Sequence, residues 1–443
     1  MLPLSRLRAD AREIFAAGVK SADPFVAVLK TLEVDNDCLR VADRTYDLAR
    51  VQNIFVAGGG KASAPMARAV EKLLDTRISG GAVIVKYGHR LQLDKIKIIE
   101  AGHPVPDQAG LDGARQIVEL ARGCGDRDLF LFLISGGGSA LLPVPADGLT
   151  LDDKMRTTEA LLKSGATIQE VNAVRKHISK IKGGRLAQLA APARLIALIL
   201  SDVIDDPLEA IASGPTVPDN STYGDCLEII RRYDLRRQIP SSVFDFLEHG
   251  AEGRLAETPK KSEQIFQNTQ NVIVGNNARA LAAAQRYAEV LGYHTWIVTN
   301  AMAGESRDAA KAHSTLIKEI VRRNKLASRP ACLLSGGETT VTVRGNGMGG
   351  RNQEFCLAAA MEVAGMDGVV ILSGGTDGTD GPTDAAGGIV DGLTLDRGKA
   401  NNLDAADFLS RNDAYNFLRA TDALLVTGPT LTNVMDLQIT LIA

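Results

Sequence analysis

Aromatic residues make up only 4% of this 443-residue chain. That is little for a surface that stacks single-stranded nucleic acid. Net charge is −3, so no global basic field draws in DNA or RNA. No apolar run reaches bilayer-spanning length, and Leu195 to Leu200 is only strand length. The start, Met1-Leu2-Pro3-Leu4-Ser5-Arg6, has no long apolar signal core. The five cysteines (Cys38, Cys124, Cys226, Cys332, Cys356) are scattered without a CxxC pair. That argues against a zinc site and a disulfide framework and for reduced thiols in the cytoplasm. No Gly-x-Ser-x-Gly elbow and no His-Glu-x-x-His zinc helix occurs. The partners expected are therefore small molecules, with no nucleic acid and no membrane.

What the chain has is glycine, 43 residues of it. Four times an apolar, strand-like run ends in a glycine-rich loop. Asn53 to Ala57 leads into Gly58-Gly59-Gly60-Lys61, and Leu129 to Ile134 into Ser135-Gly136-Gly137-Gly138-Ser139. Cys332 to Leu334 leads into Ser335-Gly336-Gly337-Glu338, and Val369 to Leu372 into Ser373-Gly374-Gly375-Thr376-Asp377. Glycine lets a ligand approach the main chain, and successive N–H groups in such a loop cradle anions. Four such loops point to a phosphate site, although each alone also fits an ordinary tight turn.

A chain of this length divides into two or three domains. Strands alternate with helices in the first half, which implies right-handed βαβ units and a doubly wound, Rossmann-like sheet. Pro240, Gly250, Gly253 and Pro259 then interrupt the periodicity. The expected domains are residues 1–240 and 265–443, both α/β. In the second, the run Thr339 to Val343 followed by Gly345 suggests a hairpin and a mixed sheet.

Gly58 to Ser63 fails the strict P-loop pattern, because Phe55 replaces the first glycine and Ala62 separates Lys61 from Ser63. The same stretch half-matches a dinucleotide fingerprint, but the following strand ends in Lys86 where an acid should bind ribose. Asn172, Arg175, Lys176, Ser179 and Lys182 recur at helical spacing and can form one polar face, either solvated or recognising an anion. Arg185, after Gly183-Gly184, suits carboxylate or phosphate. His177 beside this face is a candidate base or a structural histidine. Asp202 and Asp206 follow the strand Leu195 to Leu200, where open α/β sheets bind ligands, and can hold Mg²⁺ or accept a hydroxyl proton.

The motifs taken together resemble class II glycerate kinases, the MOFRL family. They are Val56 to Ala62, Gly102-His103-Pro104-Val105-Pro106-Asp107, Leu133 to Ala140, Ser201-Asp202-Val203 and Ala212 to Thr216. Ser335 to Thr339, Gly349-Gly350-Arg351-Asn352-Gln353-Glu354 and Gly375 to Gly381 continue the series in order along nearly the whole chain. The literal letters of the family motif are absent, and Val434-Met435-Asp436-Leu437 stands in their place. A second departure is Ile204-Asp205, where a more permissive turn is expected.

The resemblance implies two α/β domains with the site in a cleft, and ATP-dependent phosphorylation of D-glycerate at its 2-hydroxyl. It leaves room for a homo-oligomer. On this reading Lys61 and Arg351 stabilise the transferring phosphoryl group or the glycerate carboxylate. Gly59, Gly60, Ser135, Gly136, Gly137, Gly138 and Ser139 cradle phosphates, as do Gly336, Gly337 and Glu338. Asp202 is the candidate base, and Asp206 and Asp377 are candidate Mg²⁺ ligands. Arg175, Arg185 and Asn352 contact substrate. Two rivals stand beside it: an NAD(P)H-dependent hydroxypyruvate reductase, and a non-catalytic nucleotide or sugar-phosphate sensor.

Overall fold

The computed structural model describes residues 2–323 and 329–443. Met1, part of the N-terminal reading, and residues 324–328, inside the expected second domain, lie outside them. The chain forms two compact units. One holds Pro24–Ser201 and Asp206–Val274; the other holds the residues up to Asp23, Asp202–Asp205 and Gly275–Ala443.

The first unit opens with a small antiparallel meander that the sequence reading missed: β1 (Leu32–Asp35), β2 (Cys38–Val41) and β3 (Arg44–Asp47). Its six-stranded sheet contains β4 (Ile54–Gly59), β5 (Ile78–Lys86), β6 (Ile96–Ala101), β7 (Leu129–Ile134), β8 (Arg194–Leu200) and β9 (Thr269–Gly275). The order is β6-β5-β4-β7-β8-β9, and the pairings from β6 through β8 are parallel. Every residue of β7 is buried, as a strand covered on both faces requires. Asp107 caps the helix Gln108–Arg122 by accepting from the Gly110 amide.

β9 moves the domain boundary. The sequence placed Val272 to Val274 at the start of the second domain, yet β9 is the edge strand of the first unit's sheet. Gln270 on β9 donates to the Val41 carbonyl and accepts from Tyr46 Oη, tying strand to meander. The stretch rich in Pro and Gly is no linker. Its helix, Ser241–Ala251, buries Val243 and Leu247 in one apolar cluster with Val171, Tyr223 and Ile230.

The second unit has a mixed sheet of β10 (His294–Met302), β11 (Ala331–Gly337), β12 (Val369–Gly375), β13 (Gly387–Asp391), β14 (Leu424–Leu425) and β15 (Asp436–Ile442). Its order is β10-β11-β15-β12-β13-β14. The C-terminal β15 inserts antiparallel between β11 and β12, and this insertion makes the sheet mixed. The hairpin expected at Thr339 to Val343 is absent; only an isolated bridge joins Thr340 to Glu305. The N-terminal helix Leu4–Ser21 packs here, with Arg8 donating to Asp391 and Asp422 and Tyr293 donating to Asp10. Charged side chains thus bind the start of the chain to its C-terminal sheet.

Candidate active site

In the first unit, the order of strands along the sheet reverses between the parallel neighbours β4 and β7. Their carboxyl ends flank the crevice where open α/β sheets take ligands. The two expected glycine loops meet there. The Lys61 amide donates to the Gly136 carbonyl at 2.8 Å, and the Ala62 amide to Ser135 Oγ at 3.0 Å. Ser63 and Ser135 hydroxyls lie 3.2 Å apart. Among the described residues, the amides of Gly136 and Gly137 have no hydrogen-bond partner. Two open donors beside a lysine make an anion cradle.

Gly137 has φ +85°. A Cβ there would stand 2.9 Å from His103 Cδ2 and 3.4 Å from Lys61 Cγ, so only glycine lets both side chains lie against the loop. His103 Nδ1 and Nε2 are neutral together at physiological pH. Burial pushes the imidazole down to about 4, and the positive charges of Lys61, Lys86 and His89 push in the same direction. Lys86, standing where a dinucleotide site needs an acid, therefore adds positive potential to the crevice.

The polar helix face is not solvated. The helix runs Ile168–His177 and ends, and the turn after it buries Ser179 and Lys182. Asn172 and Lys176 are also buried, and Lys176 pairs with Asp219 at 3.2 Å. His177 is fully buried between the Ala173 carbonyl and Glu257, which makes it structural. Arg185 binds Tyr223 Oη at 3.1 Å and the Ala256 carbonyl, a fastening within the unit. Lys182 donates to the Ser139 carbonyl and hydroxyl and to the Ala212 carbonyl. Ser213, which accepts or donates at Ser139 Oγ and donates to Asn172, continues that chain of bonds.

In the second unit, Arg351 opens the helix Arg351–Glu362. Its Nε and Nη2 grip the two oxygens of Asp436 at 2.6 and 2.8 Å, and its Nη1 pairs with Glu338 at 2.8 Å. Burial opposes the guanidinium's charge, but the Asp436 bonds outweigh it and hold the group protonated. Residues 434–437 carried no assigned role on sequence grounds, and the segment delivers Asp436. Asn277 donates to the Val434 and Asp436 carbonyls, and Thr376 donates twice to the Met435 carbonyl.

The amides of Asn352 and Gln353 donate to Asp380, so this helix N-terminus already holds an internal carboxylate. Burial and the neighbouring Asp436 raise Asp380 to about 7. Asn352 is fixed by Ser373 and Asp380. Gly336 and Gly337 lie inside β11, paired to Leu437 and Asp436 of β15. A Cβ on Gly336 would collide with Asn277, so packing accounts for that glycine without a ligand. Asp377 accepts from the amide and hydroxyl of Thr379. Asp202 accepts from Asn433 Nδ2 at 3.0 Å.

Among the described residues, no group of three or more His, Cys, Asp or Glu side chains could hold a metal ion. Asp206, in a turn with positive φ at Asp205 and Asp206, and Asp377 therefore form no protein cage. Magnesium commonly needs none, binding through one or two carboxylates and substrate phosphates.

Sequence reasoning missed His103 as part of the cradle, Asp436 and Asp380 beside Arg351, and Asn433 beside Asp202. His103 and Asp436 stood inside quoted motifs, but nothing local distinguished them from turn residues.

Residues 10–248 match a family model described as a domain of unknown function, DUF4147, and residues 331–436 match the MOFRL family. A glycerate 2-kinase of Pyrococcus horikoshii is 40% identical over 438 residues, spanning 98% of each chain. A D-glycerate 2-kinase of Thermotoga maritima is 43% identical over 404 residues, 91% of this chain and 94% of that one. The solved structure of glycerate kinase from Thermotoga maritima superposes with TM-score 0.88 at 40% identity, over 99% of this chain and 100% of that one. The chain belongs to this two-domain glycerate kinase family, with a MOFRL C-terminal part.

Proposed function

We infer that this chain is a glycerate 2-kinase, transferring the γ-phosphoryl group of ATP to the 2-hydroxyl of D-glycerate. The 2-hydroxyl oxygen attacks γ-phosphorus, the bond to the ADP oxygen breaks, and the hydroxyl proton leaves to a base. Such transfer needs positioning and charge stabilisation with little covalent chemistry. One observation carries the reading: two stitched loops at the sheet's switch point present open Gly136 and Gly137 amides beside Lys61.

We assign Lys61 and those amides to the oxygens of the transferring group, where charge develops. His103, neutral, adds no charge of its own to the cradle. Asp202, oriented by Asn433, is assigned as the base. Arg351, locked by Asp436, is assigned to a substrate anion that takes the place of half-exposed Glu338. Mg²⁺ enters with ATP as part of the substrate. All five cysteines are free, and no helix among the described residues is long and apolar enough to cross a membrane. Both fit the cytoplasm.

The test uses purified protein with D-glycerate and Mg-ATP, and separately hydroxypyruvate with NADH. Glycerate-dependent ADP formation without NADH oxidation is expected. NADH oxidation would instead establish a reductase, and inertness in both a sensor.

A further inference from the structure

A cavity of about 560 Å³ lies within the first unit, lined by Pro104, Pro106, Leu151, Met155 and Leu162 on its apolar walls. Ser139, from the glycine loop after β7, also lines it, as do four cations: Lys163, paired with Glu159, and Lys154, Arg175 and Lys182. Lys154 and Lys182 are buried, 6% and 1% exposed. Their ammonium groups meet only neutral oxygens: Val144 for Lys154, and Ser139 and Ala212 for Lys182. Arg175 has no ion-pair partner among the described residues. The one carboxylate on the wall, Glu159, is bound to Lys163 at 2.6 Å.

Three cations gathered in a low-dielectric cavity repel one another and are costly to bury without an anion. The strain shows in their proton affinity. Burial, then Arg175, brings Lys154 down to about 7; burial, then Arg175 and Lys154, also holds Lys182 well below its ordinary value. A dianionic or trianionic ligand would relieve this. The volume sits in the range of roughly 300–1,000 Å³ typical of cofactor pockets and far exceeds a three-carbon acid. Apolar walls together with buried cations fit a molecule with a flat apolar body and an anionic tail.

We propose that this cavity seats the nucleotide, with its base against the apolar walls and its polyphosphate on Arg175, Lys154 and Lys182, reaching the Ser135–Ser139 loop. This rests on the kinase reading. Glycerate-dependent turnover by the wild type decides that reading by itself and is measured first.

With turnover in hand, MgADP binding is measured by calorimetry. Arg175→Met removes a cation that breaks no ion pair. It should weaken MgADP at least tenfold while the KM for glycerate moves less than threefold. Leu162→Glu, at an exposed position on the wall, should weaken MgADP several-fold without changing the unfolding temperature. Proton uptake on MgADP binding at pH 8, read in two buffers of different ionisation enthalpy, should be smaller in Lys154→Met. Arg175, Lys182, Glu159 and Lys163 are the other charged groups facing that ammonium. Unchanged MgADP affinity in both Arg175→Met and Leu162→Glu overturns the proposal. So does a large rise in glycerate KM with MgADP affinity unmoved, which would make the cavity a carboxylate site.

Discussion

Arg351→Lys is a more telling substitution than its conservative look suggests. The guanidinium makes three charge-assisted contacts, two to Asp436 and one to Glu338. Asp436 is fully buried, and Arg351 is 31% exposed. Removing one partner of a buried pair costs about 3–5 kcal/mol; partial exposure of Arg351 places Arg351→Ala near the lower end. Lysine keeps the charge but cannot span both oxygens of Asp436 and Glu338. It should lose one or two bonds of about 1.5 kcal/mol each, hence about 2 kcal/mol. Both variants should lower kcat/KM about 10²-fold, equivalent to about 2.7 kcal/mol of transition-state stabilisation. The stability loss should also depend on pH. Without Arg351, Asp380 loses a charge that favours its ionised form, so acid relieves the penalty and base exposes it. Thermal unfolding of Arg351→Ala against wild type should therefore differ more at pH 8 than at pH 5. Lysine activity within about threefold of wild type, or an equal Tm loss at both pH values, would refute the reasoning.

Three further outcomes follow from the first unit. Lys61→Ala should lower kcat/KM about 10²-fold or more with the fold intact, since the residue sits at a loop mouth; steady-state kinetics with far-UV circular dichroism checks both. Gly137→Ala forces a side chain at φ +85° into His103 and Lys61. It should cost about 1–3 kcal/mol in denaturant titration and reduce kcat/KM at least tenfold. Lys154 has a folded pKa depressed to about 7, so between there and its unfolded value the unfolded chain binds more protons and stability rises with pH. Comparing Tm at pH 7 and pH 9, that rise should be smaller in Lys154→Met.

β4 and β7 at the centre of the first sheet were legible because each is an unbroken apolar run that leads into glycine, a pattern set locally. Leu129 to Ile134 into Ser135 to Ser139 is the clearest case. The second sheet was less legible because its order depends on partners far apart. Nothing near Asp436 announces that β15 will insert between β11 and β12. The helix Leu4–Ser21 joins the C-terminal sheet through Arg8 and Asp10, more than 280 residues from their partners. The same distance hid parts of the site. Ser335-Gly336-Gly337 reads like Ser135-Gly136-Gly137, yet the former lies within a strand flanked by two others and the latter in a loop with open amides. Lys154 looked like any helix-surface lysine, and only the fold places it beside Arg175 and Lys182.

Phosphoryl transfer to the 2-hydroxyl of glycerate is the reaction proposed for this chain. The most direct measurement is proton-coupled ³¹P NMR of the product formed from D-glycerate and Mg-ATP. A phosphomonoester doublet, split by the single proton on C2, should grow in step with ADP. A triplet from the two C3 protons, or ADP accumulating equally without glycerate, would contradict it.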